Sequence, residues 1–175
     1  MIKTKPALAL ADTVPGYGIA SGYEIDTDKT RLDLDFVHGF LVQSRWAKGI
    51  PFDVMKKAIE NSVAFGVYRD GRQIGFARVV TDHATFAYMA DVFVIEAERN
   101  CGLGRHLVDT ILAHPELQGL RRWLLGTRDA QSLYRRCGFA DPPEGFHFLE
   151  RMMPGGYAAP LAVEAAPRRR RRRAG

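Results

Sequence analysis

The spacing of hydrophobic residues along the chain changes several times, and these changes predict where helices and strands lie. The stretch YEIDT, which starts at Tyr23, predicts a short strand. In DLDFVHGFLVQSRW, apolar residues recur four apart, which predicts an amphipathic helix whose last turn carries Arg45. The next segment, IPFDVMKKAIENS, has Pro51 at a first-turn position and predicts a second helix. Its apolar face consists of Phe52, Met55 and Ile59.

From residue 63 the period of the pattern changes to two, which is typical of strands. Two predicted strands, 63–68 and 73–80, flank the pair Asp70-Gly71, which favours a tight hairpin turn. The run 85–95 is long enough for a third strand of the same meander. An antiparallel meander is therefore expected in the middle of the chain.

Helical spacing then returns and alternates with short strands. A helical stripe is predicted from Leu103, Leu107, Ile111 and Leu112. RRWLLGT predicts a strand, DAQSLYRRCGF a short helix that ends at Gly138, and GFHFLERMM a last strand. A meander followed by this β-α-β-α-β half predicts one mixed, mostly antiparallel sheet flanked by helices, an α/β (α+β) fold.

The composition predicts one globular domain between two atypical ends. Residues 1–21 are rich in Pro, Gly, Ala and Thr and predict a flexible arm, whereas 22–153 hold the periodic segments. Residues 154–175 predict a disordered tail that ends in an arginine run from Arg168 to Arg173. Without these arginines the chain has 19 basic and 20 acidic residues, so any polyanionic partner would depend on the tail.

Several classes of protein are disfavoured by the same sequence. Cys101 and Cys137 are too few for a disulfide framework, and neither the cysteines nor the five histidines show metal-ligand spacing. The N-terminal apolar patch is broken by Pro6, Asp12 and Pro15, which argues against export. No run approaches the roughly 18 apolar residues of a membrane span. A cytoplasmic protein with no metal is expected.

The first chemical feature is the stretch RNCGLGR, which joins a predicted strand to a predicted helix. The first N–H groups of a helix are unpaired and attract anions. Gly102 and Gly104 let a ligand approach this backbone, with Arg99 and Arg105 beside it. The stretch lacks the Gly-Lys-Ser/Thr of a nucleotide P-loop and the third glycine of a dinucleotide site, so the kind of anion stays open.

A second motif gives the glycine turn a context. The pattern Arg-x-x-Gly-x-Gly after the fourth strand is formed by Arg99, Gly102 and Gly104. The later LYxxxGF pattern is formed by Leu133, Tyr134, Gly138 and Phe139. In motif order, spacing and element order, residues 23–153 resemble the GNAT superfamily of acetyl-coenzyme A-dependent N-acetyltransferases.

The resemblance implies acetyl-CoA as co-substrate and a sheet whose fourth and fifth strands splay apart. It implies that backbone N–H groups over residues 100–105 hold the pyrophosphate and that the fourth strand pairs with the pantetheine arm. The cofactor-binding residues implied in this way are Val92, Phe93, Val94, Arg99, Asn100, Cys101, Gly102, Leu103, Gly104 and Arg105.

The resemblance also implies a catalytic tyrosine. Tyr134 matches the family residue that protonates, or donates a hydrogen bond to, the departing thiolate. A backbone N–H of the fourth strand would polarise the thioester carbonyl, an oxyanion contact of about 3 kcal/mol. At positions where relatives carry a glutamate or an asparagine, this chain has Arg122 and Thr127. The family's general base is therefore not carried over.

The base has to be sought among other residues. An alkyl ammonium group, with a pKa of about 10.4, must lose a proton before it attacks. Asp91, just before the VFV stretch, is the candidate for the base or the amine anchor, and Tyr88 is its rival. The alternative is a structural Asp91 carboxylate, satisfied by Arg78 or by a backbone group.

Three functions follow from the sequence. The first is an N-acetyltransferase that acts on a primary amine of a small molecule or protein. The second is a non-catalytic sensor that binds acyl-CoA. The third is association with RNA or the ribosome through the run from Arg168 to Arg173, which would weaken with salt. Dimers are common among similar proteins, so a homodimer stays open, as does the acceptor.

Overall fold

Six strands form one mixed sheet in the computed structural model, which describes residues 8–9, 22–152 and 154–158. The strands follow one another across the sheet in chain order. All neighbours are antiparallel except the last pair, which is parallel. The strands are β1 (Leu8–Ala9), β2 (Tyr23–Asp26), β3 (Val63–Arg69), β4 (Arg72–Thr81), β5 (Phe86–Val94) and β6 (Arg122–Leu125). The predicted mixed sheet is confirmed.

Helices cover both faces of this sheet and bury a separate core on each. The helices are α1 (Leu34–Leu41), α2 (Phe52–Glu60), α3 (Leu103–Leu112) and α4 (Gln131–Arg136). Helices α1 and α2 bury Val37, Leu41, Met55 and Ile59 against Phe76 and Phe93. Helix α3 buries Leu103, Leu107, Val108 and Ile111 against the opposite face, which includes Phe65 and Val67. The alternation of period two along β3 to β5 supplies both cores.

The predicted hairpin between β3 and β4 is present. Asp70 and Gly71 both have positive φ angles, 50° and 77°. Two successive residues with positive φ angles give a turn whose twist matches that of the flanking strands. At the start of α1, Asp33 accepts a hydrogen bond from the N–H of Phe36 at 2.9 Å and caps the helix.

Helix α1 is shorter than the sequence predicts. It ends at Leu41, so the prediction that its last turn carries Arg45 is wrong. The hydroxyl of Ser44 donates to the carbonyl of Leu41 at 2.7 Å and accepts from the N–H of Ala47 at 3.1 Å. These local bonds build a turn in place of another helical turn, because serine side chains compete for backbone groups. Arg45 therefore projects from a loop.

The last predicted strand is also wrong. Residues 145–152 are not in the sheet, and β6 is its edge within the described residues. Pro142 and Pro143, which precede the segment, have no N–H to donate to a ladder. Phe146 instead packs against the guanidinium of Arg122, 5.0 Å from the ring centroid. Several apolar side chains of the segment stay exposed: Phe146, Phe148, Leu149 and Met152.

The two predicted ends are described only in part. Leu8 and Ala9 pair with β2, although they belong to the predicted arm of residues 1–21. Gly156–Ala158 form a 3-10 turn after the predicted domain limit at residue 153. The rest of the arm, and the arginines from Arg168 to Arg173, lie outside the described residues. No helix in the described part is both long and apolar enough to cross a bilayer.

Candidate active site

Strand β5 separates from β6 halfway along its length. Its first half, residues 86–89, pairs in parallel with β6, and the register ends at Met89 opposite Leu125. Residues 90–94 pair with β4 but with no described strand on the β6 side. This opening between the fourth and fifth strands of the predicted order leaves backbone groups of β5 facing a cleft.

A β-bulge lies where the strands separate. The register between β4 and β5 shifts between Phe76 and Arg78, and Asp91 has a φ of 54°, which is rare for a residue other than glycine. A Cβ atom at Gly75 would lie 2.8 Å from the carbonyl oxygen of Phe93. Glycine at 75 therefore permits the close approach of β4 and β5 beside the bulge, which turns Asp91 toward the cleft.

The turn between β5 and α3 has the form of an anion cradle. Asn100 and Gly102 both have positive φ angles, 64° and 90°, and Gly102 is the N-cap of α3. Because glycine has no side chain, the N-cap residue forms no side-chain hydrogen bond with the first turn. The N–H groups of the first turn thus lie at the positive end of the helix dipole without a side-chain cap. The structure places the sequence-predicted residues 100–105 in this one turn.

The segment before the cradle is braced by a side-chain cluster centred on Glu98. The hydroxyl of Tyr23 donates to Oε2 of Glu98 at 2.7 Å, and Nη1 of Arg69 donates to both carboxylate oxygens at 2.9 Å. The thiol of Cys101 donates to the backbone carbonyl of Glu98 at 3.2 Å. The hydrogen bond to Glu98 is the main reason why the pKa of Tyr23 rises to about 12, and it lowers the pKa of Glu98. We call Tyr23, Arg69 and Glu98 the turn clamp.

The two arginines of the turn are engaged with the protein. Nε of Arg99 donates to the carbonyl of Val94 at 2.9 Å, which ties the end of β5 to the turn. Nε of Arg105 lies 3.5 Å from the Asp109 carboxylate, one turn further along α3. Arg99 therefore shapes the loop, and both guanidinium groups add positive charge beside the cradle.

The opening between β5 and β6 continues into a cleft of about 620 Å³. Its walls come from residues 88–92 of β5, single residues of β4 and α4, the loop after β6, the loop between α1 and α2, and the chain after residue 149. Polar and aromatic side chains that line it are Arg45, Trp46, Arg78, Tyr88, Asp91, Thr127, Arg128, Asp129, Tyr134, Glu150 and Tyr157.

Tyr134 of α4 lines this cleft from its buried side. Only 9% of the residue is exposed, and its ring packs edge-on against Phe139 with centroids 5.8 Å apart. Burial raises the pKa of Tyr134 to about 12. Because a raised pKa favours the protonated phenol, Tyr134 is a hydrogen-bond donor throughout the neutral range.

Asp91 has partners on both carboxylate oxygens. Oδ2 accepts from Nε of Arg78 at 2.5 Å, and Oδ1 accepts from the indole N–H of Trp46 at 3.1 Å. The ion pair with Arg78 matches the structural alternative that the sequence leaves open for Asp91. Tyr88 also lines the cleft, and a Cβ at Gly126 would lie 3.3 Å from its hydroxyl.

Several cleft residues could not be found from the sequence. Arg45 forms an ion pair with Asp129, which joins the loop after α1 to the loop after β6. Trp46, Glu150 and Tyr157 also reach the cleft from distant segments. No motif marks these residues, and only the loop after α1 could have been suspected from its position. The described residues contain no group of three or more His, Cys, Asp or Glu side chains that could hold a metal ion.

Comparison with known proteins gives matches that extend over most of the fold. The model of the acetyltransferase (GNAT) family matches residues 31–139. A crystal structure from Xanthomonas campestris pv. campestris, of a candidate acetyltransferase assigned to the same family, is 45% identical with a TM-score of 0.76. The match covers 81% of this chain and 100% of that one.

More distant relatives are also described as acetyltransferases or share the fold. A candidate acetyltransferase of Gibberella zeae is 28% identical over 153 residues, which cover 74% of this chain and 85% of the relative. A Clostridium acetobutylicum protein solved with acetyl-CoA has a TM-score of 0.53 at 13% identity, over 73% of this chain and 94% of that one. At that identity the likeness concerns the fold.

Proposed function

The chain belongs to the acetyltransferase (GNAT) family, and on that basis we propose that it transfers the acetyl group of acetyl-CoA to a primary amine of a small molecule or protein. The observation that carries this proposal is the opening between β5 and β6, with Tyr134 at one side and the α3 cradle at its end. We expect the reaction to take place in the cytoplasm.

The residues of the opening fit the coenzyme. The uncapped first turn of α3 would hold the pyrophosphate through N–H groups of Leu103, Gly104 and Arg105. The nearest atom to a Cβ at Gly104 would be Cδ2 of Leu133 at 3.9 Å, so this glycine leaves the helix surface open. The backbone of residues 92–94 would bind the pantetheine arm in place of the missing strand neighbour. Bound acetyl-CoA supplies the thioester that the amine attacks.

The raised pKa of Tyr134 decides how it would act. A thiol has a pKa of about 8.5, whereas that of Tyr134 is about 12. Complete transfer of the phenol proton to a thiolate would thus be uphill. We assign Tyr134 the role of a hydrogen-bond donor that stabilises the departing sulfur, a contact that strengthens as negative charge develops.

Asp91 would orient the acceptor. Both of its oxygens are engaged, by Arg78 and by Trp46, so to accept a proton it would have to share one of these bonds. The bulge fixes its carboxylate beside the separation of the strands, where the amine must meet the thioester. Tyr88 is the second polar group of β5 in the cleft and remains the rival for proton removal.

An acceptor screen with detection of the released coenzyme thiol tests the enzyme proposal. The screen includes amino acids, polyamines, aminoglycosides and peptide N-termini, and we expect at least one class to give turnover that depends on Tyr134. The alternative, an acyl-CoA sensor, predicts thermal stabilisation by acetyl-CoA without thiol release with any amine. Stabilisation without release would therefore favour the sensor.

A further inference from the structure

The charged side chains of the cleft are not all paired with each other. Six of them line it. Two ion pairs account for four: Arg78 with Asp91, and Arg45 with Asp129. The other two, Arg128 and Glu150, form no ion pair with any described residue. The cleft therefore presents one guanidinium and one carboxylate that are available to a ligand.

We propose that Glu150 binds the ammonium group of the acceptor and that Arg128 binds an anionic group on the same molecule. The acceptor would then be a small amine that also carries a carboxylate or a phosphate. This inference rests on the proposed acetyl transfer, since it describes the acceptor of that reaction.

The two ion pairs are poorly suited to these roles. The Arg78 and Asp91 side chains are only 19% and 10% exposed, so a ligand that displaced either would leave a nearly buried charge without its partner. The pair of Arg45 and Asp129 is more exposed but links two walls of the cleft. A ligand that bound either of these side chains would have to compete with the partner already in place. Arg128 and Glu150 can each bind a ligand without breaking an ion pair.

The sign of the two available charges selects the ligand. A polyamine would neutralise Glu150 but would be repelled by Arg128. A dianion would be attracted by Arg128 but repelled by Glu150. Only a molecule with both charges satisfies both residues. The aromatic side chains of Trp46, Tyr88 and Tyr157 line the same cleft, and aromatic faces favour an ammonium group.

Matched acceptors test the requirement for an anionic group. Common L-α-amino acids are compared with their α-carboxamides, and O-phosphoethanolamine with ethanolamine, by thiol release with saturating acetyl-CoA. We expect kcat/KM to be at least about tenfold higher for the charged member of one pair, the equivalent of about 1.4 kcal/mol. The pair that shows the preference identifies carboxylate or phosphate. Equal rates within both pairs, or a preference for the uncharged members, would overturn the proposal.

Two variants test the residues. Arg128→Gln should lower kcat/KM for the charged member by roughly tenfold and so abolish the preference for it. Glu150→Gln should raise the KM for both members of the pair by roughly tenfold, the loss of one charge-assisted contact, with the KM for acetyl-CoA unchanged. Arg121→Gln and Glu144→Gln are the matched controls, because both residues are exposed and neither lines the cleft.

Two results would contradict these assignments. An Arg128→Gln enzyme that keeps its preference for the charged member would remove Arg128 from acceptor binding. If its KM for acetyl-CoA rose instead, the guanidinium would serve the coenzyme, which also overturns the proposal. An unchanged KM for the amine in Glu150→Gln would show that Glu150 does not bind the ammonium group.

Calorimetric titration separates this inference from the proposed function. The same amino acids and phosphoethanolamine are titrated into the full chain saturated with coenzyme A, where no transfer occurs. Binding that is lost in Glu150→Gln and in Arg128→Gln supports the acceptor site even if no thiol is released, in which case only the enzyme proposal fails. Thiol release that is at least as efficient with amines that carry no anionic group as with their charged counterparts would support the enzyme and overturn the acceptor assignment.

Discussion

The cradle at the start of α3 and the acceptor cleft are built in opposite ways. The cradle consists of backbone groups from one short stretch, residues 100–105, and the turn clamp braces the residues just before it. The cleft consists of side chains from segments as far apart as Arg45 and Tyr157. One site depends on local conformation and the other on how distant loops meet.

This difference fits what each site would bind. A pyrophosphate has one shape in every reaction, so a fixed turn with positive φ angles and a helix dipole is sufficient. An acceptor differs from enzyme to enzyme, and exposed loop side chains can change without disturbing the sheet. Substitutions in the cradle should therefore change coenzyme affinity, whereas those in the cleft should change turnover or the KM for the amine.

The largest expected effect is that of Gly102→Val in the cradle. A β-branched residue at a φ of 90° is strained by roughly 1–3 kcal/mol, and its side chain would occupy the approach to the first turn of α3. We expect the Kd for acetyl-CoA, measured by calorimetry, to rise by more than about 100-fold, or 2.7 kcal/mol. The control is Gly119→Val, at a φ of 78° with open space around it. Equal loss of affinity in both variants would mean that strain alone is responsible.

Next in size is Tyr134→Phe, at the border of the two sites. It should lower kcat by roughly 50-fold, since hydrogen bonds to charged groups contribute about 1.5–3 kcal/mol, and should leave the Kd for acetyl-CoA unchanged. Tyr157→Phe, at the exposed side of the cleft, should have little effect. The pKa of Tyr134 is raised from 10.0 to about 12, so ionisation of this phenol should cause no loss of kcat between pH 8 and about pH 10. A wild-type-like kcat in Tyr134→Phe would rule out the proposed role.

A smaller effect is expected for Asp91→Asn in the cleft. The amide can still accept from Trp46 but leaves the partly buried Arg78 without a counter-charge. We expect kcat to fall by roughly tenfold, comparable to the loss of a charge-assisted hydrogen bond, with little change in the Kd for acetyl-CoA. Asp129→Asn, whose carboxylate is far more exposed, is the comparison. Steady-state rates that match the wild type across the pH range would restrict Asp91 to a structural role.

The smallest expected effect is that of Tyr23→Phe in the turn clamp. Loss of one hydrogen bond to Glu98 should raise the KM for acetyl-CoA by roughly threefold, in line with the 0.5–1.5 kcal/mol of a typical hydrogen bond, without a change in kcat. Tyr68→Phe is the matched control, because the buried hydroxyl of Tyr68 has no hydrogen-bond partner among the described residues. The two variants should differ in KM; equal values would show that the clamp does not position the turn.

The turn clamp also predicts that the affinity for acetyl-CoA falls at acid pH. The pKa of Glu98 is lowered below 4.5, mainly by the hydrogen bond from Tyr23 and further by Arg69. Its contribution to the folded turn is therefore complete above pH 4.5 and is lost as the pH falls through the lowered value. In Tyr23→Phe the pKa of Glu98 should be lowered less, so this loss should be complete at a higher pH, which an acid titration of acetyl-CoA affinity would detect.

The regular elements could largely be predicted from the pattern of the sequence, because the repeat of apolar residues is a local property. The hairpin at Asp70-Gly71 and the α3 stripe are confirmed. Two predictions failed where a local pattern met a competing interaction. Ser44 ended α1 early through its own hydrogen bonds, and the segment after Pro143 did not join the sheet although its residues alternate.

The sequence by itself determined the part of this protein that we propose to bind the coenzyme. The glycine turn, the strand before it and Tyr134 lie in motifs whose residues are neighbours along the chain, so their spacing carries the geometry. Only the tertiary structure decided the cleft that we propose to bind the acceptor. The contacts of Arg45 with Asp129 and of Trp46 with Asp91 join residues far apart in the chain, and both lie in the cleft beside the point where β5 and β6 separate. Side chains that meet only through folding leave no periodic or local signal, so the sequence pattern does not reveal which charges line the cleft.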